Sequence, residues 1–314
     1  MAERRRNIVD LHCHTSASGS GVGLPPSVVS FFRRNRYRAV SITEHNNQDS
    51  LTAAREAAQD VGIEYIAGIE IAVRTDDPPP GQTTAHLLGY YVEPGQRLST
   101  LCERTQEKGE DALEELLARL FAAGVADISE EDLREECKAR CGEYDVWKRP
   151  LSSAIAGALL VRQGVLPADG TRTLKDLFAE HCPDLGDSWL PTAGEAVDAL
   201  RESGGTVILA HPLGDTVPDD PDAASRCLER WLTAHVDGLE VYYPGYDGQR
   251  RRMLLDLVRR MERPYTGGSD THEFDRADRI LMSDAPYACV ESMMEFRARG
   301  RALTYPEDGA GGRT

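Results

Sequence analysis

Short apolar runs alternate with helical patterns at both ends of this 314-residue chain, and few folds accept that order. In the first third, Ile8 to Leu11 reads as a strand and Pro25 to Asn35 as a helix, with Pro26 in its first turn and Val28, Val29, Phe31 and Phe32 on one face. Arg38 to Thr43, Glu64 to Val73 and Ala85 to Val92 read as further strands, with a helix from Ser50 to Val61. RTDDPPPGQT, between the last two strands, is a loop, because three consecutive prolines cannot join a hydrogen-bonded ladder. Alternation resumes with GGTVILAHP (Gly204 to Pro212), a helix around Pro221 to His235, the strand DGLEVYY, a helix from about Gln249 to Met261, and RPYTGGSDTH. Repeated βα units with short links predict an α/β fold with a parallel sheet or barrel covered by helices.

Between about Ser99 and Ala199 the texture becomes helical and charged. Leu113, Leu116, Leu117, Leu120 and Phe121 recur at helical spacing, with Gly124 placed as a C-terminal cap. Ser129 to Asp132 and Thr192 to Glu195 resemble capping boxes. The expected organisation is therefore a first barrel part over 1–98, a helical insertion over 99–199, a second barrel part over 200–305 and a disordered glycine-rich tail over 306–314.

Composition limits the partners. No run of about 18 apolar residues exists, which predicts no membrane-spanning helix, and the basic N-terminus lacks the apolar stretch of a signal peptide. Seven cysteines without regular spacing suit a reducing cytoplasm, and Cys137-x-x-x-Cys141 lacks a second pair to complete a zinc site. A net charge of −16 opposes long nucleic acid, whereas a small phosphate ester remains acceptable if bound cations invert the local sign.

Chemistry in βα folds gathers where strands end. His12 and His14 follow the first strand and, two residues apart, share a face, so both imidazoles reach one ion. Cys13 alternates with them and should face away. His45 follows the second strand, Glu70 closes YIAGIE, His211 ends TVILA, and Asp270 and His272 follow YTGGS. His86 is the exception, near the start of its predicted strand. Burying so many polar groups without a shared partner is costly, and divalent cations supply one. Mixed imidazole and carboxylate ligands suit zinc, iron or manganese. The set exceeds the needs of one ion, which predicts two or more, with Glu70 as the bridging carboxylate.

The segments DLHCHTSAS, ITEH, GIEI, HLLGY, LAHP and GSDTH, in that order, resemble the PHP (polymerase and histidinol phosphatase) superfamily of metal-dependent phosphoesterases. The resemblance runs from about Ile8 to His272 and implies a distorted (β/α)7 barrel carrying a helical cap. It also implies a first metal at His12, His14, Glu70 and Asp270, a second at Glu70, His86 and His211, and a third served by His45 and His272. The family usually adds an Asp or His just after the first motif, where this chain has Ser18-Gly19-Ser20. It usually has Asp before the second-motif histidine, where Glu44, one methylene longer, is the candidate to complete the third site.

Arg149-Pro150 followed by LVRQGVL, inside a helical insertion, resembles the branch acting on nucleoside phosphates, although Leu151 stands where relatives often have His. Arg149 is the candidate to grip a phosphate through its fork of donors. Trp147, Tyr144 and Trp189 are candidates to stack on a base or sugar, and Tyr243 is a candidate substrate contact at a strand end. The implied activity is hydrolysis of a small phosphate monoester, a nucleoside monophosphate or 3′,5′-bisphosphate above all, by a hydroxide bridging two or three Mn, Fe or Zn ions. Glu70 would hold the bridge, with His45 or His272 as candidate proton donors to the leaving oxygen. A cyclic-phosphate phosphodiesterase or a histidinol or sugar phosphatase would use the same centre, and a non-enzymatic metal or nucleotide sensor would need it without turnover. The implied partner is a small phosphorylated substrate, with neither long nucleic acid nor membrane.

Overall fold

The first strand forms where the apolar run lies, as β1 (Ile8–Asp10), and leads through the histidine motif to α1 (Pro25–Arg34). The computed structural model describes residues 7–141, 152–214, 220–274 and 282–300. After α1 come β2 (Ala39–Val40), α2 (Leu51–Val61), β3 (Glu64–Tyr65), β4 (Gly68–Val73) and β5 (Ala85–Tyr90). A helical stretch follows: α3 (Gln96–Ala122), α4 (Glu130–Cys141), α5 (Ser153–Arg162), α6 (Leu174–His181) and α7 (Ala193–Glu202). The chain closes with β6 (Thr206–Leu209), α8 (Pro221–Ala234), β7 (Gly238–Tyr242), α9 (Gly248–Arg260), β8 (Tyr265–Gly267), β9 (Ala285–Pro286) and α10 (Ala288–Ala298).

The strands make two sheets, ordered β3-β2-β1-β9 and β4-β5-β6-β7-β8, rather than one continuous ladder. Backbone bonds join the sheets at both seams. Leu11 donates to Gly267, and Asp270 donates to His12; at the other seam Glu70 donates to Glu44, and Asn46 donates to Glu70. The expected single strand over Glu64 to Val73 is two, because the chain changes sheets there. β3 pairs with β2, whereas β4 pairs with β5. Gly68 permits the crossing: a Cβ at that position would sit 2.2 Å from the Ser41 hydroxyl.

The sheets are not purely parallel. β5 runs antiparallel to both β4 and β6, and β9 runs antiparallel to β1. A parallel return from β4 would need a crossover, usually a helix, and the proline-rich loop between β4 and β5 supplies none. This reversal decides the position of one site residue below.

α3, α7, α8 and α9 pack on the second sheet: β4 side chains Ile69, Ile71 and Val73 share a core with Leu200 of α7, Trp231 of α8 and Leu257 of α9, and with Leu98 of α3. α10 packs Val290 and Met293 against Val9, Leu88, Tyr90 and Ile208. Farther along α3, Leu116 and Leu120 join Leu160 of α5 and Leu177 of α6 in a separate helical core. Gly124, with φ of 66°, ends α3 as its spacing predicts, and Thr192 with Glu195 forms a capping box on α7.

Candidate metal centre

Alternation beyond β1 sets the first ligands. His12 and His14 point together into the interior and are fully buried, while Cys13 turns outward, its thiol 3.4 Å from the Ser41 carbonyl and packed among Val28 and Ile42. His45 and Asp270 arrive from the segments that follow β2 and β8. His211 follows β6. Because β5 is reversed, the start of that strand lies at the same end as the finishes of its neighbours: His86 pairs with Ala72 and passes its carbonyl to Ala210. The position that broke the strand-end pattern is thus brought to the same place as the rest.

Glu70 lies at the centre, fully buried. Its Oε2 is 3.4 Å from His12 Nε2, 3.2 Å from His14 Nε2 and 3.0 Å from His45 Nδ1. Its Oε1 is 2.8 Å from His86 Nδ1 and 3.5 Å from His211 Nε2. Asp270 Oδ1 lies 3.3 Å from His12 Nε2 and 3.1 Å from His14 Nε2. His272 turns its Nδ1 to the Asp270 carbonyl, 2.9 Å away, and stacks on His14 with 4.2 Å between ring centres.

Each oxygen of Glu70 faces a different set of imidazoles. The backbone is strained at the same place: Asn46, His211 and Asp270 all have positive φ, at 50°, 27° and 52°.

The electrostatics divide the histidines. Burial opposes charge on His14, but hydrogen bonds to Asp270 and Glu70 outweigh it and raise its pKa to about 9. His12 rises well above its ordinary value for a similar reason, with burial overcome by Asp270, Glu240 and Glu70. Burial lowers His45, and it lowers His272 to about 3 with help from the neighbouring His14 and His45. Glu70 stays well below the usual carboxylate range despite burial, because His45, His12 and His86 surround it.

These residues fit divalent cations. His12 Nε2 is buried without a hydrogen-bond partner, 3.4 Å from Glu70 Oε2, in a spot where an ion would satisfy both. Among the described residues, three overlapping groups offer ligand atoms within 4.8 Å of one another: His12, His14, Glu70 and Asp270; His45, Glu70 and His86; and His14, His45 and His272. Nitrogen and carboxylate donors without thiolate suit zinc, iron or manganese.

Not every expected residue joins them. Glu44 is turned away and bonds Thr15, through the hydroxyl and through the main-chain amide at 3.2 Å. The reason is parity: Glu44 neighbours His45, so the two face opposite sides of the extended segment. Ser18 and Ser20 bond each other at 2.8 Å and line the cleft above the cluster. Tyr243 reaches Asp270 Oδ2 at 3.4 Å and lies beside His211. Arg149, Trp147, Tyr144, Leu151 and the 306–314 tail lie outside the described residues. Trp189 packs over Gly109 and lines the same cleft with His45, His86 and His272.

Two buried acids were not singled out as site residues by sequence reasoning. Asp10 accepts from the amides of His12 and Ser269, and burial pushes it up to about 7. Glu240, on β7, faces His12. The signal for both was a carboxylate inside an otherwise apolar strand, which must find partners.

Residues 10–145 match the family model of the PHP domain. Over those residues the chain is similar to that family. It is 29% identical to the phosphoribosyl 1,2-cyclic phosphate 1,2-diphosphodiesterase of Eggerthella lenta, across 87% of this chain and 97% of that relative. It is 25% identical to the 5′-3′ exoribonuclease Rnm of Salmonella typhimurium, across 85% of each. Identity to the 3′,5′-nucleoside bisphosphate phosphatase of Chromobacterium violaceum is 26%, across 93% of this chain and 97% of that enzyme. Among solved structures, an amidohydrolase from Chromobacterium violaceum with bound sulfate matches this chain with a TM-score of 0.69. It covers 93% of this chain and 96% of that one at 21% identity, which is a likeness of fold.

Proposed function

We propose that this chain is a metal-dependent phosphoesterase that hydrolyses a small phosphate monoester, a nucleoside monophosphate or 3′,5′-bisphosphate first. One observation carries the reading: five imidazoles converge on Glu70 beside a cleft of about 820 Å³ that His45, His86 and His272 line. That volume suits one nucleotide, since small-molecule sites span about 300–1,000 Å³. The far wall, with Trp189, Phe178, Leu113 and Leu174, offers an aromatic and apolar surface for a base or sugar. Among the described residues the cleft lining contains no Arg or Lys, so a long polyanion has no basic track there. We read the seven strands β1, β2 and β4 to β8, with their two bonded seams, as the ring that presents these groups at one end.

Divalent cations held here would neutralise phosphoryl oxygens and acidify a water. Glu70, with its oxygens facing separate imidazole sets, would bridge two of them. Asp270, His12 and His14 would hold one, and His86 and His211 the other. His45 and His272 stay neutral at physiological pH, because burial lowers both. They therefore serve as lone-pair donors rather than as the acid that protonates the leaving oxygen.

A second reading, cleavage of a cyclic ribose phosphate, is favoured by the similarity to the Eggerthella lenta enzyme over nearly its whole length. Manganese-loaded protein assayed on AMP, adenosine 3′,5′-bisphosphate, a ribose cyclic phosphate and a 5′-phosphorylated RNA separates these readings. Phosphate release from the first two is expected. Turnover of the cyclic ester alone selects the second reading, rapid digestion of RNA overturns the small-substrate assignment, and no turnover of any overturns the enzyme.

A further inference from the structure

Glu240 is a fully buried carboxylate in the middle of β7, among apolar neighbours, and belongs to none of the candidate ligand groups. A carboxylate in such a place is strongly destabilising unless its oxygens find partners. Its two oxygens are both engaged. Oε1 lies 3.1 Å from His12 Nδ1, and Oε2 accepts the main-chain N–H of His211 at 2.8 Å.

From this we infer that Glu240 is the positioning residue of the metal centre, tying the first-motif histidine to the histidine after β6. The inference rests on the proposed metal-dependent reading. A carboxylate only accepts hydrogen bonds, so His12 must donate from Nδ1, which leaves Nε2, 3.4 Å from Glu70 Oε2 and 3.3 Å from Asp270 Oδ1, as the nitrogen that can bind an ion once the ion displaces its proton. The partner acid thereby selects the tautomer that can bind an ion, an arrangement typical of metal-binding histidines. The second oxygen acts on the backbone. His211 is held at a φ of 27°, where a non-glycine residue is strained, and its peptide is pinned from both sides: its N–H by Glu240 and its carbonyl by Gln82 Nε2 at 3.1 Å. One side chain thus links ligands of both Glu70 oxygens.

The requirement for two acceptors makes Glu240→Gln informative, since the amide keeps the shape but offers one acceptor to two donors. The zinc affinity of E240Q, measured by calorimetry on metal-stripped protein, should fall about 10- to 100-fold, the usual cost of losing such a partner. The second readout needs no variant. In zinc-loaded unmodified protein, nitrogen NMR should find His12 protonated at Nδ1 and metal-bound at Nε2. Zinc binding by folded E240Q as tight as in the parent, or a His12 metallated through Nδ1, overturns the positioning role. If E240Q does not fold, the NMR readout decides. If the unmodified protein takes up no zinc at all, the metal-dependent reading itself fails, and that outcome is distinct from the others.

Discussion

Glu70→Gln removes the group on which the whole site converges. The amide leaves one oxygen and one NH₂ where two acceptors faced five imidazole nitrogens at 2.8 to 3.5 Å. One unit charge 4 Å from another is worth about 4 kcal/mol at an effective dielectric of about 20, so a dication loses about 8 kcal/mol gross. Part of this is recovered, because the buried carboxylate no longer carries its desolvation penalty of several kcal/mol. A net loss of about 4 kcal/mol per ion corresponds to about three decades in dissociation constant. Manganese titration by calorimetry, with phosphate release measured on the same preparation, reads both consequences. A thermal melt of the metal-free protein controls for folding. Folded E70Q that binds manganese as tightly as the parent would refute the reasoning, whatever its activity.

Other outcomes follow from the same geometry. In metal-free protein His14 keeps its proton up to about pH 9, because its bonds to Asp270 and Glu70 outweigh burial; an incoming ion must displace that proton. Zinc affinity should therefore rise as pH climbs through neutrality towards 9, with proton release detectable by calorimetry in buffers of different ionisation enthalpy; a flat profile contradicts this. Glu44→Gln leaves Thr15 one acceptor short and should destabilise by about 1–3 kcal/mol while leaving the metal content unchanged. A lower metal count in E44Q by elemental analysis would return Glu44 to the ligand set. At Gly268 an added Cβ would lie 2.3 Å from both the Cβ and the backbone N of His12, so Gly268→Ala should cost about 1–3 kcal/mol in a denaturant melt and weaken zinc binding. A G268A protein matching the parent in both would show that His12 can yield without consequence.

The site was more legible than the frame around it. Parity alone put His12 and His14 on one face and Cys13 on the other, because strand alternation is a local rule. The same rule, applied to Glu44 beside His45, pointed away from the cluster, and family resemblance carried Glu44 into the ligand set against it. His86 was readable as a ligand only by resemblance. Its strand direction depends on how β4 connects to β5, and the proline-rich loop held that information as the absence of a crossover helix. The division of Glu64 to Val73 was not readable, since a switch between sheets leaves the apolar run unbroken. β9 and α10 went unread, although Cys289, Val290, Met293 and Phe296 recur at helical spacing and are buried as that spacing requires. Glu240 was legible as a charge inside a buried strand, but its partners, 228 and 29 residues away, belong to the tertiary fold.

On the proposed reading, the imidazoles and acids around Glu70 hold divalent cations. Elemental analysis of the folded protein, reconstituted with manganese or zinc and freed of excess metal, tests this most directly. Because the two oxygens of Glu70 face separate imidazole sets, at least two ions per chain are expected, lost together in E70Q. A well-folded protein that retains none would contradict it.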